Sequence, residues 1–251
     1  VNAPAFHDHF SAVAAQYAQA RPEYPPELFD WIAAVVPSRE VCWEPGCGSG
    51  QASRDLARVF GRVHATDPSA AQVANARAPA NVEFAVEAGE VCSLPDASVD
   101  AVCVAQALHW FDLPAFFAEC DRVLRPGGVL FAWGYQDIEV DEDIAGANAA
   151  LQERIRDDWA PQRHFIDAAY ADFDFPFEEI EAPRFDLRAE WTLPRLLGYF
   201  SSYSATKTHR ERTGEDAVSL HADALAAAWG DPERTRGVRW PLFLHARRKA
   251  A

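Results

Sequence analysis

The chain has 251 residues and is 49% hydrophobic, enough for a single α/β unit with a sizeable core and no unrelated second domain. Its 38 acidic against 23 basic side chains give a formal net charge of −15. That charge excludes a grip on nucleic acid, which depends on Lys and Arg displacing counterions from phosphates. Five cysteines (Cys42, Cys47, Cys92, Cys103 and Cys120) show no C-x2-C pair, so they read as buried thiols in a reducing cytosol, and no metal site is expected. The N-terminal stretch carries His7, Asp8, His9 and Arg21 among its alanines, and no 18-residue apolar span occurs. A cytoplasmic protein with no membrane partner is the expectation.

In chain order, Phe6 to Ala20 has Phe10, Val13, Ala14 and Tyr17 at helical spacing. The run Arg21-Pro-Glu-Tyr-Pro-Pro breaks it before a second helix, Glu27 to Val36. Val41 to Gln51 then reads Val-Cys-Trp-Glu-Pro-Gly-Cys-Gly-Ser-Gly-Gln, a strand running into glycines at alternate positions, and Ala52, Leu56, Val59 and Phe60 mark the buried face of the following helix. Arg62 to Thr66 is a second strand ending in Asp67-Pro68-Ser69, with a helix from Ala70 to Ala78. Val82 to Glu87 is a third strand, which leads into Ala88-Gly89-Glu90. Asp100 to Gln106 is the fourth, closing in Gln106-Ala-Leu-His-Trp-Phe-Asp. A helix from Pro114 to Leu124 is stopped by Arg125-Pro-Gly-Gly ahead of a fifth strand, Val129 to Tyr135.

Regularity lapses at Gln136. An acidic stretch, Asp137 to Asp143, precedes a helix predicted over Asn148 to Trp159, and residues 137–176 read as an inserted cap over the strand ends. Glu178 to Thr192 reads as an irregular sixth strand, Pro194 to Tyr203 and Ser219 to Trp229 as helices, and Val238 to Ala246 as the last strand. Alternating strands and helices predict one domain over 1–251: a doubly wound, seven-stranded, mainly parallel Rossmann-like sheet with helices on both faces.

The glycine turn, Gly46, Gly48 and Gly50, suits a nucleotide-like cofactor, since glycines accept positive φ and let a ligand reach the backbone. Asp67 lies about 20 residues on, at the end of the second strand, where a carboxylate can accept from two ribose hydroxyls or cap the next helix. The third glycine comes one residue too early for the dinucleotide pattern G-x-G-x-x-G.

The ordered set Glu44-Pro-Gly-Cys-Gly-Ser-Gly, Asp67-Pro-Ser, Gly89-Glu90, Gln106-Ala-Leu-His-Trp and Leu124-Arg-Pro-Gly-Gly resembles class I S-adenosylmethionine-dependent methyltransferases. It resembles in particular the type 11 group that includes trans-aconitate methyltransferase. Tyr17-Ala-Gln-Ala-Arg-Pro-Glu-Tyr-Pro and Val238-Arg-Trp-Pro-Leu-Phe-Leu extend the likeness over nearly the whole chain. The resemblance implies S-adenosylmethionine as cofactor and S-adenosylhomocysteine as product. It implies that Gly46, Cys47 and Gly48 lie along the methionine part, with Glu44 near the amino group. Asp67, followed by Pro68, would hold the ribose and Gly89 and Glu90 the adenine. Gln106 would sit beside the sulfonium, and Tyr17 and Arg21 would close over the cofactor.

The methyl acceptor expected is a small molecule. His109 is the candidate general base, its ordinary pKa of about 6.5 suiting proton transfer near neutrality, or else a residue shaping the substrate pocket. Trp110, Tyr135, Trp191, Tyr199 and Tyr203 are the candidate acceptor walls. Lys207, His209, Arg210 and Arg212, with Arg154, Arg156 and Arg163, either attract a carboxylic acid or pair with nearby acids on solvated faces. Two other readings compete: a non-catalytic S-adenosylmethionine-binding regulator, and an NAD(P)-dependent short-chain dehydrogenase suggested by the Tyr203-x-x-x-Lys207 spacing.

Overall fold

Consecutive rather than alternating buried residues mark strands covered on both faces. Such runs build the centre of the sheet in the computed structural model, which describes residues 22–251. The first five strands, β1 (Val41–Pro45), β2 (Arg62–Thr66), β3 (Val82–Ala85), β4 (Val99–Ala105) and β5 (Leu124–Tyr135), are parallel and lie in the order β3-β2-β1-β4-β5. Next come β6 (Glu178–Ile180), β7 (Phe185–Trp191) and β8 (Arg236–Arg248). β8 lies antiparallel to β5, and its other side takes both β6 and β7. The sheet thus has eight strands in seven positions. The irregular sixth strand read from the sequence is this broken edge, interrupted around Pro183, which has no N–H to give to a ladder.

Helices cover both faces. Leu28, Phe29 and Ile32 of α1 (Pro26–Val35) and Leu56 of α2 (Gln51–Val59) pack with Val63, Ala65, Phe131 and Trp133. After α3 (Ala70–Asn75), Phe116, Cys120 and Val123 of α4 (Leu113–Val123) close the opposite face over Trp43, Val102, Val104 and Leu130. α3 stops three residues short of the predicted end because Ala76 turns extended. Ser69, not Asp67, caps it, accepting from the Gln72 N–H. β5 begins earlier than expected, at Leu124. Arg125 to Gly128 form an irregularity that shifts its register on β4.

The helical layer at the carboxyl edge comes from two stretches. The first holds α5 (Glu142–Arg154), a 3-10 turn (Arg156–Asp158) and α6 (Arg163–Asp167). α5 starts six residues before the predicted helix, placing Glu142 and Asp143 in its first turn, where acids suit the helix dipole. The second stretch, between β7 and β8, holds α7 (Leu193–Ser201), α8 (Ser204–Thr213) and α9 (Ala217–Trp229). The inserted cap of 137–176 is therefore only part of the layer, and its tail, which meets His109 after β4 through Tyr170, also reaches β8. Tyr170 packs edge-on against Phe243 and Phe175 stacks on His245, so this tail runs down the face of β8. No helix among the described residues is long and apolar enough to cross a membrane.

Candidate active site

Because β1 to β5 are parallel, their carboxyl ends and the loops that follow share one edge, and the order reverses between β1 and β4, where open sheets of this type hold ligands. The glycine turn after β1 has positive φ at Gly46, Gly48 and Gly50. The three glycines serve different needs. A Cβ on Gly46 would lie 2.6 Å from the Ala107 Cβ, and one on Gly50 3.0 Å from the Phe84 ring. At Gly48 a Cβ would meet nothing within 4 Å, so this is the glycine whose bare backbone faces open space.

Beneath the turn, Glu44 is 1% exposed and accepts a 2.5 Å hydrogen bond from the Ser53 hydroxyl on α2. Burial pushes its carboxyl up to about 8 against the opposing Ser53 bond, and the nearby charges of Asp67 and Asp55 add to the rise. Asp67, also buried, accepts from the Gly48 N–H and the Ser69 N–H, both at 2.9 Å. These two bonds orient the carboxylate. The Cys47 N–H continues the ladder to the Thr66 carbonyl, and burial pushes its thiol well above the ordinary range, so Cys47 is neither a free amide donor nor a nucleophile.

Phe111, which the sequence reading passed over, joins the turn to the loop after β3. Its ring fills the place of a Cβ on Gly89, which would lie 2.6 Å away, and it also approaches Gly46. Glu90 is committed beside it, accepting from the Asp112 N–H at 2.8 Å. Gln106 ends β4 at φ +56, a left-handed conformation that costs a non-glycine residue about 1 to 3 kcal/mol. Its amide spans to the main chain of Tyr135, accepting from the N–H at 3.0 Å and donating to the carbonyl at 3.2 Å. The side chain expected beside the sulfonium thus clips β4 to β5.

His109 Nδ1 lies 2.8 Å from the Tyr170 hydroxyl. Tyr170 is 1% exposed, sits at φ +57 and comes from the tail of the predicted insertion; no spacing in the sequence links it to His109. Trp110 is exposed beside that imidazole, whereas Tyr135 turns to the other face, against Tyr24 and Trp133. Trp191, Tyr199 and Tyr203 pack on one another and on Trp240, whose indole N–H donates to the Tyr199 hydroxyl. They form the buried interior of the cap instead of an open wall. A cavity of about 620 Å³ lies alongside, lined by Asp137, Gln152, Trp159 and Arg163 among others, and Trp159 stands between it and Tyr203. Tyr17 and Arg21 lie outside the described residues.

The basic groups proposed for a carboxylate have acidic partners. Arg154 pairs with Glu215, Arg156 with Glu153, Lys207 with Glu211 and Arg210 with Asp216; Arg163 pairs with both Asp137 and Asp167. Arg212 and His209 both engage the buried Asp158. Lys207 points outward while Tyr203 is buried, so the two do not form the dehydrogenase pair.

A family model described as a methyltransferase domain, of the type 11 group, matches residues 43–132. A protein of Dictyostelium discoideum named as a methyltransferase is 32% identical over 248 residues, covering 95% of this chain and 94% of its own. The chain belongs to the class I S-adenosylmethionine-dependent methyltransferases of type 11. A solved structure from Anaeromyxobacter dehalogenans, described as a type II methyltransferase, is 43% identical to this methyltransferase. It covers 92% of this chain and 99% of its own at a TM-score of 0.87. An uncharacterized methyltransferase of Schizosaccharomyces pombe is 30% identical over 223 residues, 85% of this chain and 84% of its own. The names of these relatives specify no acceptor. S-adenosylmethionine suits the site of the methyltransferase on physical grounds: an ammonium group beside the buried Glu44 would draw its carboxyl into the ionised form, whereas a pyrophosphate would raise its pKa further.

Proposed function

We propose that this methyltransferase, acting as one unit of core and cap, transfers a methyl group to a small-molecule acceptor bound between the strand ends and the helical layer. The observation that carries the reading is the buried Glu44 carboxyl beside Asp67, beneath a turn in which Gly48 alone leaves space for a ligand. Glu44 would hold the cofactor amino group, Asp67 the ribose hydroxyls, and the loop of Pro68, Gly89 and Glu90 the adenosine end. Gln106 would contribute its backbone position at the end of β4, with its amide clipping the neighbouring strand. Tyr17 and Arg21 would close over the cofactor from the N-terminal segment.

When bound, S-adenosylmethionine supplies a methyl already activated by its sulfonium. The chain then has to hold the acceptor in line and exclude water, and such alignment is worth up to roughly 7 to 11 kcal/mol. The Tyr170 hydroxyl fixes the His109 ring, whose Nε2 would take a proton from an acceptor that must lose one. The cations considered for a carboxylic acid are already paired, which favours an uncharged acceptor. The test is release of S-adenosylhomocysteine with a panel of phenols, amines and small carboxylic acids. Turnover is expected on a neutral acceptor. Release with no member of the panel, while S-adenosylmethionine still binds, would transfer the case to the non-catalytic regulator.

A further inference from the structure

On the face of the sheet below the Gly89–Glu90 loop, three side chains of metal-ligating type meet. His64 projects from the middle of β2, and Glu87 and Cys92 come from the loop after β3. One ligand atom from each lies within 4.8 Å of the other two, the only such grouping of three found among the described residues. His64 Nε2 is 3.3 Å from Glu87 Oε2 and 3.3 Å from the Ser93 hydroxyl. The His64 side chain is 6% exposed, and its Nδ1 has no hydrogen-bond partner. In the metal-free cluster Nε2–H donates to the Glu87 carboxylate; moving the proton to Nδ1 turns the Nε2 lone pair to the cluster as a ligand.

The loop is held in place independently of this cluster. The Cys92 N–H donates to Glu119 at 2.7 Å, and Arg122 donates to the Cys92 carbonyl at 2.8 Å. A strand and a fastened loop thus present the three donors, as a preorganised site requires.

We propose that His64, Glu87 and Cys92 bind a divalent transition-metal ion of the zinc class, with the Ser93 hydroxyl or a water as fourth ligand. The donor set decides the class: imidazole nitrogen and thiolate sulfur suit zinc, cobalt or copper, while calcium and magnesium take oxygen. An anionic carboxylate, a thiolate and a neutral imidazole also balance a divalent charge. Tetrahedral zinc places its ligand atoms about 3.3 to 3.8 Å apart. His64 and Glu87, 3.3 Å apart, already meet that spacing, and Cys92, whose ligand atom lies within 4.8 Å of both, has at most about 1.5 Å to close. The Cys92 thiol gives up its proton to solvent as the metal–sulfur bond forms. Such an ion fastens the Gly89–Glu90 loop to β2 and so couples metal supply to the shape of the loop. The sequence concealed the site because Glu87 and Cys92 lie five apart without a second cysteine, and His64 joins them only through the β2–β3 pairing.

The experiment is a titration of the full, reduced chain with cobalt(II), followed by displacement with zinc. One equivalent of cobalt should raise a thiolate-to-metal charge-transfer absorption that zinc removes. Cys92→Ser should abolish the band and Glu87→Gln should weaken cobalt binding at least tenfold, with both variants folded by circular dichroism. Cys47→Ser should retain the band. Absence of the band at one equivalent, or its survival in Cys92→Ser, would overturn the site and leave the cluster a plain hydrogen-bond network.

Discussion

Glu44 carries an energetic cost in the free protein that a cation bound beside it would relieve. In the folded chain its carboxyl keeps its proton up to about pH 8, against an ordinary value of 4.5. Between those values the unfolded chain binds fewer protons than the folded one, so stability falls as pH rises through the window. A shift of this size corresponds to about 5 kcal/mol at full ionisation. Glu44→Gln, an isostere of the protonated acid, should flatten the pH 5 to 8 slope of thermal stability in the cofactor-free protein and weaken S-adenosylmethionine binding at least tenfold. An unchanged slope in denaturation scans would contradict the assignment of charge. The sequence identified Glu44 by its place in the motif, but its protonation state was not legible, since that depends on Ser53 and Asp67 being folded against it. The position of Asp67 at the end of β2 was legible from spacing because strand length and turn length fix the distance. Tyr170 was not, because its meeting with His109 spans 61 residues and an unusual backbone conformation.

At the scale of elements, the glycine turn shows how far a motif can be read. The pattern predicted strand, turn and helix, and β1, the turn and α2 follow it. Which glycine leaves room for a ligand depended on Ala107, Phe84 and Phe111, supplied by other strands and loops. Gly46→Ala forces a Cβ into Ala107 at positive φ and should cost about 3 kcal/mol or more in urea unfolding. Gly48→Ala has no neighbour to strike and should cost about 1 to 2 kcal/mol, yet weaken S-adenosylmethionine binding at least tenfold. Equal stability losses, or full binding by Gly48→Ala, would refute this division. Elements were read well where apolar periodicity was strong, as in β2, whose ends agree with the expectation to the residue. α8 was harder to see because its buried face is Ala205, Thr206 and His209, small or polar side chains that leave no apolar stripe.

For the molecule as a whole, the parallel core was legible because buried strands and their helices repeat with fixed connections. The cap was less so. It is assembled from two stretches, 142–167 and 193–229, that meet where α9 packs on α5, and no local signal announces such a contact. Its aromatic residues looked like pocket walls because composition does not distinguish a buried cluster from an open surface. The proposed division of labour, with the methyl donor at the edge of the parallel sheet and the acceptor under the cap, is an expectation drawn from this architecture. The most direct test is equilibrium binding of S-adenosylmethionine, S-adenosylhomocysteine and nicotinamide cofactors to the full chain and to Asp67→Ala. The structure predicts one S-adenosylmethionine site per chain, at least tenfold weaker in Asp67→Ala, and no nicotinamide cofactor bound. Tight nicotinamide binding, or S-adenosylmethionine affinity untouched by Asp67→Ala, would contradict it.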